Sequence, residues 1–76
     1  MSTVHVVTKK KVKGLGKKSF LNILGDLMLS EEEEQMMQLY YIGHKTMMQI
    51  AEQLGYSEIG IIKMHDRVLK KIAKVL

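Results

Sequence analysis

The sequence contains no cysteine, no proline and no tryptophan, and it has only one phenylalanine and three tyrosines. Without cysteine, neither a disulfide framework nor a thiolate metal site can form. Because proline is absent, no helix is broken or kinked by a proline ring. Because aromatic side chains are scarce, the core must be built from leucine, isoleucine, valine and the seven methionines.

Long apolar runs are also missing, so the sequence predicts neither a membrane span nor a signal peptide. We therefore expect a cytoplasmic protein without a membrane partner. A chain of 76 residues makes one small domain, whose core is near the lower limit of what folds alone.

The charge is positive but unevenly distributed. The net charge is +4 and the isoelectric point is near 9.4. Six lysines fall in residues 9–18 and five basic residues fall in residues 63–74, whereas residues 31–34 are four consecutive glutamates. This balance favours an anionic partner.

Residues 1–18 are predicted to be a flexible basic segment that precedes a helical domain at residues 19–76. Residues 1–8 are rich in β-branched side chains without an evident partner strand, which favours an unstructured end or a partner-dependent segment. Residues 9–18 combine like charges with two glycines and should be extended and mobile. A phosphate-binding arm and a solubilising tail are both compatible with this composition.

The apolar rhythm from residue 19 onwards predicts four helices, at residues 19–28, 31–42, 46–54 and 57–75. The inner stripe of the last helix is predicted to consist of Ile61, Met64, Val68, Leu69 and Ile72. Ser30 is a candidate N-cap, and Glu33 can complete its capping box, so the glutamate run has a structural role at a helix start. Thr46 and Ser57 are further candidate N-caps, and Gly55 suits a left-handed turn. Two helices with so short a turn are typical of a helix-turn-helix.

The sequence from Leu29 to Ile72 resembles region four of bacterial sigma factors. The motifs that carry the resemblance are LSEEE, LYY, IAEQLGYS and IIKMHDRVLKKI. The details GYSE, His65 and VLKKI are more similar to phage late-transcription activators of the ArpU and RinA type. The resemblance implies an all-α, sigma-like three-helix bundle, preceded here by the short helix at 19–28. It also implies a nucleoid-associated transcription regulator, encoded by a phage or another mobile element, that binds double-stranded DNA.

The resemblance also implies which residues bind DNA. Residues that face DNA in the family correspond to Ser57, Glu58, Gly60, Ile62 and Lys63. Lys45 and Thr46 correspond to the start of the preceding helix, which contacts the DNA backbone, and Arg67, Lys70 and Lys71 would lie beside phosphates.

The sequence departs from this pattern at Ile59, Gly60 and Ile62, where relatives commonly carry polar, basic or aromatic residues. Isoleucine can contact a thymine methyl group but cannot make bidentate hydrogen bonds to a base, which leaves Lys63 as the best base-reading residue. The alternative function is a protein-interaction module that binds RNA polymerase, a sigma factor or another regulator through Ile59 and Ile62. The apolar stretch at 20–28 is a candidate surface for a homodimer.

Catalysis and metal binding have little basis in the sequence. No nucleophile has an adjacent base, and the glycines at 14 and 16 follow no strand and do not form a phosphate-binding loop. We therefore expect no enzymatic activity, no cofactor and no metal site. His65 is expected to be a packed, hydrogen-bonding side chain that faces Tyr40 or Tyr41.

Overall fold

The computed structural model describes residues 3–76, which form five α-helices and no strand. The helices are α1 (Thr3–Lys13), α2 (Lys17–Asp26), α3 (Glu31–Tyr41), α4 (Met47–Leu54) and α5 (Glu58–Ala73). The all-α prediction is therefore confirmed. None of the helices in this part of the chain combines the length and the apolar character that crossing a bilayer requires.

The core is organised along α5, against which α1, α3 and α4 all pack. The inner side of α5 carries a stripe of apolar residues that are at most 4% exposed: Ile61, Met64, Val68, Leu69 and Ile72. Met36 and Met37 from α3 and Ile50 from α4 are fully buried in the same core. The helical period of the sequence predicted this stripe, and the structure confirms it.

Helices α3 and α4 both begin with a complete capping box. The Glu33 backbone N–H donates to the Ser30 Oγ at 3.2 Å, and the Ser30 N–H donates to the Glu33 Oε1 at 3.0 Å. At α4, the same reciprocal pair joins Thr46 to Gln49, at 3.1 and 2.9 Å. The predicted caps are confirmed, and Gln49 is an additional partner that the sequence analysis did not name.

A three-residue turn joins α4 to α5. Gly55 has φ +79°, and the N–H groups of Gly55 and Tyr56 both donate to the Ala51 carbonyl at 2.9 Å. Ser57 then caps α5 by accepting the N–H of Gly60 at 3.0 Å. These hydrogen bonds satisfy backbone groups at the end of α4 and at the start of α5. Position 55 favours glycine because a residue with a Cβ is strained at a positive φ.

Helix α1 corrects the prediction of an extended segment. Residues 3–13 are helical, and Thr8 and Val12, one turn apart, are 4% and 3% exposed. Burial of this face offsets the low helix propensity of the β-branched residues. The lysines Lys10, Lys11 and Lys13 occupy the last turn of α1, where the helix dipole favours positive charge. Residues 1 and 2 of the predicted segment lie outside the described residues.

The bounds of the predicted helices also shift by one or two residues, most of all at α2 and at the end of α5. The helix predicted at 19–28 is Lys17–Asp26, because Met28 adopts a left-handed conformation with φ +53° that ends the helical path. The side chain of Met28 is 90% exposed. Helix α5 ends at Ala73 rather than at residue 75.

The turn yields a prediction about glycine. Gly55→Ala should lower the free energy of unfolding by about 1 kcal/mol, because alanine is strained in the left-handed region. Gly25→Ala is the matched control: it lies inside α2, a Cβ there meets no atom within 4 Å, and the change should raise stability by about 0.5–1 kcal/mol. Urea denaturation of the two variants measures both effects. Equal responses would contradict the role assigned to the turn.

Candidate nucleic-acid interface

The outer face of α5 presents a row of exposed residues. Each residue of a helix is rotated by about 100° from the one before it, so Ile59, Lys63 and Lys70 lie together, opposite the buried stripe. The C-cap residue Lys74 continues this row in αR conformation. All four side chains are exposed. The row combines three lysines with one isoleucine. The lysines can bind phosphates, and the isoleucine provides an apolar contact near the start of the helix.

The first turn of α5 is compact. Gly60 is half-buried, and a Cβ at this position would lie 3.1 Å from the Ser57 Oγ. Glu58, by contrast, is exposed in the first turn, where the helix dipole favours a carboxylate. The predicted site residues in this turn therefore differ in access: Ser57 and Glu58 face solvent, whereas Gly60 is covered by its own cap.

The remaining predicted site residues lie in two places. Lys45 and Thr46 are exposed at the start of α4, where the Thr46 hydroxyl serves the capping box. Ile62, Lys63, Arg67, Lys70 and Lys71 are all exposed along α5. The structure therefore places most of the predicted residues on one helix, and Lys74 extends the same row.

One flank of α5 faces the acidic start of α3. The Lys71 Nζ lies 3.8 Å from the Glu33 Oε1. The pKa of Glu33 is lowered, chiefly by the hydrogen bond from the Ser30 backbone and also by the charges of Lys71 and Arg67, against a smaller opposing effect of burial. Part of the positive charge predicted to meet phosphates is therefore balanced within the protein.

Tyr56 belongs to the same flank. A hydrogen bond with Glu32 raises the pKa of Tyr56, and the positive charge of Arg67 acts in the opposite direction. The acidic run thus has two functions in the structure: it caps α3, and it lies beside the cations of α5. The sequence analysis found the first function but missed the second, because the second depends on how α3 and α5 pack.

The other flank of α5 faces α1. A groove of about 500 Å³ is lined by residues of both helices, together with Tyr40 and Met47. From α5, the side chains of Ile62, Asp66 and Leu69 line this groove; from α1, its lining includes Val6, Lys9, Lys10 and Lys13. This groove could not be predicted from the sequence, since residues 3–13 were not predicted to be helical.

His65 connects α5 to α3 through aromatic residues. The Tyr41 hydroxyl and the His65 Nε2 form a hydrogen bond of 2.7 Å, and the Tyr40 ring lies 5.1 Å from the imidazole between centroids. His65 is 5% exposed, and burial raises the pKa of Tyr41. The predicted packing of His65 is confirmed. Among residues 3–76, no group of three or more histidine, aspartate or glutamate side chains is arranged to hold a metal ion.

Compared with known proteins, the chain matches no family model, no curated protein and no solved structure.

The buried hydrogen bond yields a second prediction. Tyr41→Phe should lower the free energy of unfolding by about 1–2 kcal/mol, because the nearly buried His65 loses the hydroxyl that faces its Nε2. Tyr40→Phe is the control, since the Tyr40 ring contacts His65 while its hydroxyl makes no hydrogen bond to a described residue. Thermal denaturation of both variants tests the assignment, and an equal loss from the two changes would contradict it.

The lowered pKa of Glu33 yields a third prediction. A carboxyl group whose pKa is lower in the folded state stabilises the fold above the ordinary pKa of 4.5, and this contribution is lost as the pH falls through the folded-state value. The free energy of unfolding of the Glu33→Gln variant should therefore depend less on pH below about pH 4.5 than that of the wild-type protein. Glutamine also completes a capping box, so the cap itself is retained. Urea denaturation at a series of pH values measures this dependence. If the variant and the wild-type protein lose stability equally as the pH falls, Glu33 does not cause the acid sensitivity.

Proposed function

We propose that this protein is a DNA-binding transcription regulator in which α4, the turn at Gly55 and α5 form a helix-turn-helix. Helix α5 enters the major groove of double-stranded DNA, and the start of α4 approaches the backbone. The observation that carries the proposal is the exposed row of α5, which lies on the second helix of a capped, tightly turned pair.

The proposal assigns each group a chemical task. Lys63 lies one turn beyond Ile59 and is close enough to the start of α5 to reach base edges, where a lysine binds guanine acceptors. Ile59 contacts thymine methyl groups. Lys70 and Lys74, further along the helix, bind phosphates that border the groove.

The start of α4 contributes in a different way. Its first N–H groups and those of α5 carry the positive end of each helix dipole, which attracts phosphate. Lys45 is exposed immediately before the Thr46 cap and adds a full charge at that point. These contacts position the protein on the duplex without reading its sequence.

A single module of this size buries little surface on DNA, so tight binding requires two copies or a second protein. RNA polymerase or a sigma factor would be such a protein, and a homodimer would supply two copies. Partly exposed Leu21 on α2 belongs to the stretch proposed for dimerisation.

Salt-dependent binding tests the proposal. Wild-type protein should bind duplex DNA with an affinity that falls steeply with salt, by about 0.9 in log K per log salt for each phosphate neutralised. Lys63→Gln should weaken binding, whereas Lys18→Gln, an exposed lysine on α2 with the same change in charge, should have little effect. Fluorescence anisotropy with promoter-containing and mixed-sequence duplexes makes both measurements. Absence of binding at low salt would refute the proposal.

A second function is supported by the exposure of Ile59 and Ile62, which are 65% and 42% exposed. In this alternative, the same part of α5 binds RNA polymerase, a sigma factor or another regulator. Ile59→Asp with Ile62→Asp should abolish binding to purified bacterial RNA polymerase holoenzyme, while Lys63→Gln should leave it nearly unchanged. If the isoleucine variant still binds polymerase, whereas Lys63→Gln weakens binding to DNA, the DNA-binding function is favoured.

A further inference from the structure

We infer that α1 is a second DNA-contacting element, whose Lys10 and Lys13 bind the phosphate strand that borders one side of the groove occupied by α5. The inference rests on the proposed function. It assigns a ligand to lysines that lie outside the helix-turn-helix, and it explains why a helix rich in positive charge packs along the flank of α5.

The first step is the position of α1. Thr8 and Val12 anchor the helix in the core, so its orientation relative to α5 is set by buried contacts. The side of α1 that carries Lys10 and Lys13 then lines the groove opposite Ile62 and Asp66. Both lysines are exposed.

The second step is the order of residues around α5. Ile62 and Asp66 face α1, and Ile59, Lys70 and Lys63 follow in that order toward the outer face. The lysines of α1 therefore adjoin the edge of the proposed DNA-binding row, rather than its opposite side.

The third step is a comparison of sizes. The major groove is about 12 Å wide and an α-helix with its side chains is about 10–12 Å across, so α5 alone fills it. Packed helices lie about 8–10 Å apart. Helix α1 therefore cannot share the groove with α5, and it lies instead over the sugar–phosphate backbone at the border of the groove.

The fourth step is the charge on the two flanks. Toward α3, Lys71 and Arg67 lie beside glutamates, which reduces their attraction for phosphate. Toward α1, the described side chains that line the groove include three lysines and one carboxylate, that of Asp66. Lys9 lies over the Tyr40 ring, with its Nζ 5.2 Å from the centroid, and is half-buried. Among the side chains that the structure describes, Lys10 and Lys13 are therefore the accessible cations on this side.

The experiment compares two double variants that remove the same charge. Lys10→Gln with Lys13→Gln changes the groove side of α1, whereas Lys11→Gln with Lys18→Gln changes two exposed lysines that do not line the groove. Binding of each protein to a mixed-sequence DNA duplex is measured by fluorescence anisotropy between about 50 and 200 mM salt. Circular dichroism verifies that helix content is retained.

We expect the groove-side variant to lose about 1–2 units of the slope of log K against log salt, since each phosphate contact contributes about 0.9. The control variant should retain the wild-type slope. Lys10→Arg with Lys13→Arg should also retain it, because the two charges remain. If the wild-type protein binds DNA but the two glutamine variants have equal slopes, the inference about α1 is wrong and the proposed function still stands. No binding by the wild-type protein would overturn the proposed function together with this inference.

Discussion

Burial of the inner stripe of α5 is the interaction on which the rest of the structure depends. Helices α1, α3 and α4 pack against this one helix, whose inner isoleucines and valine are fully buried. Because each helix has only one apolar face, the stripe also determines which side of α5 remains in solvent. The buried contacts thus orient the outer row that contains Lys63, although none of them involves that row.

The sequence predicted those parts of the structure that depend on local patterns. Ser30, Thr46 and Ser57 were identified as caps because a hydroxyl before an apolar rhythm satisfies free N–H groups, and Gly55 because a left-handed residue favours glycine. The buried stripe followed from the helical period. Such signals lie within a few residues of the features they specify, so they were sufficient without knowledge of the tertiary structure.

The features that the sequence did not predict depend on contacts between distant segments. The helical state of residues 3–13 depends on burial of Thr8 and Val12, and the charges around Lys10 gave the opposite indication. The pairing of Lys71 with Glu33 likewise joins residues on two different helices. In the candidate interface, most of the exposed residues could therefore be predicted from the sequence, but the residues that they contact on other helices could not. The groove beside Ile62 required the position of α1 to be known.

The packing of α1 on α5 has a consequence for the order of folding. These are the first and last of the five helices, so their contact closes a loop that includes the other three and carries a correspondingly large entropy cost. The contact between the adjacent helices α4 and α5 closes a much shorter loop. During synthesis, α1 emerges before the surface that buries Thr8 and Val12 has been made. We therefore expect α1 to dock last, after α5 has left the ribosome.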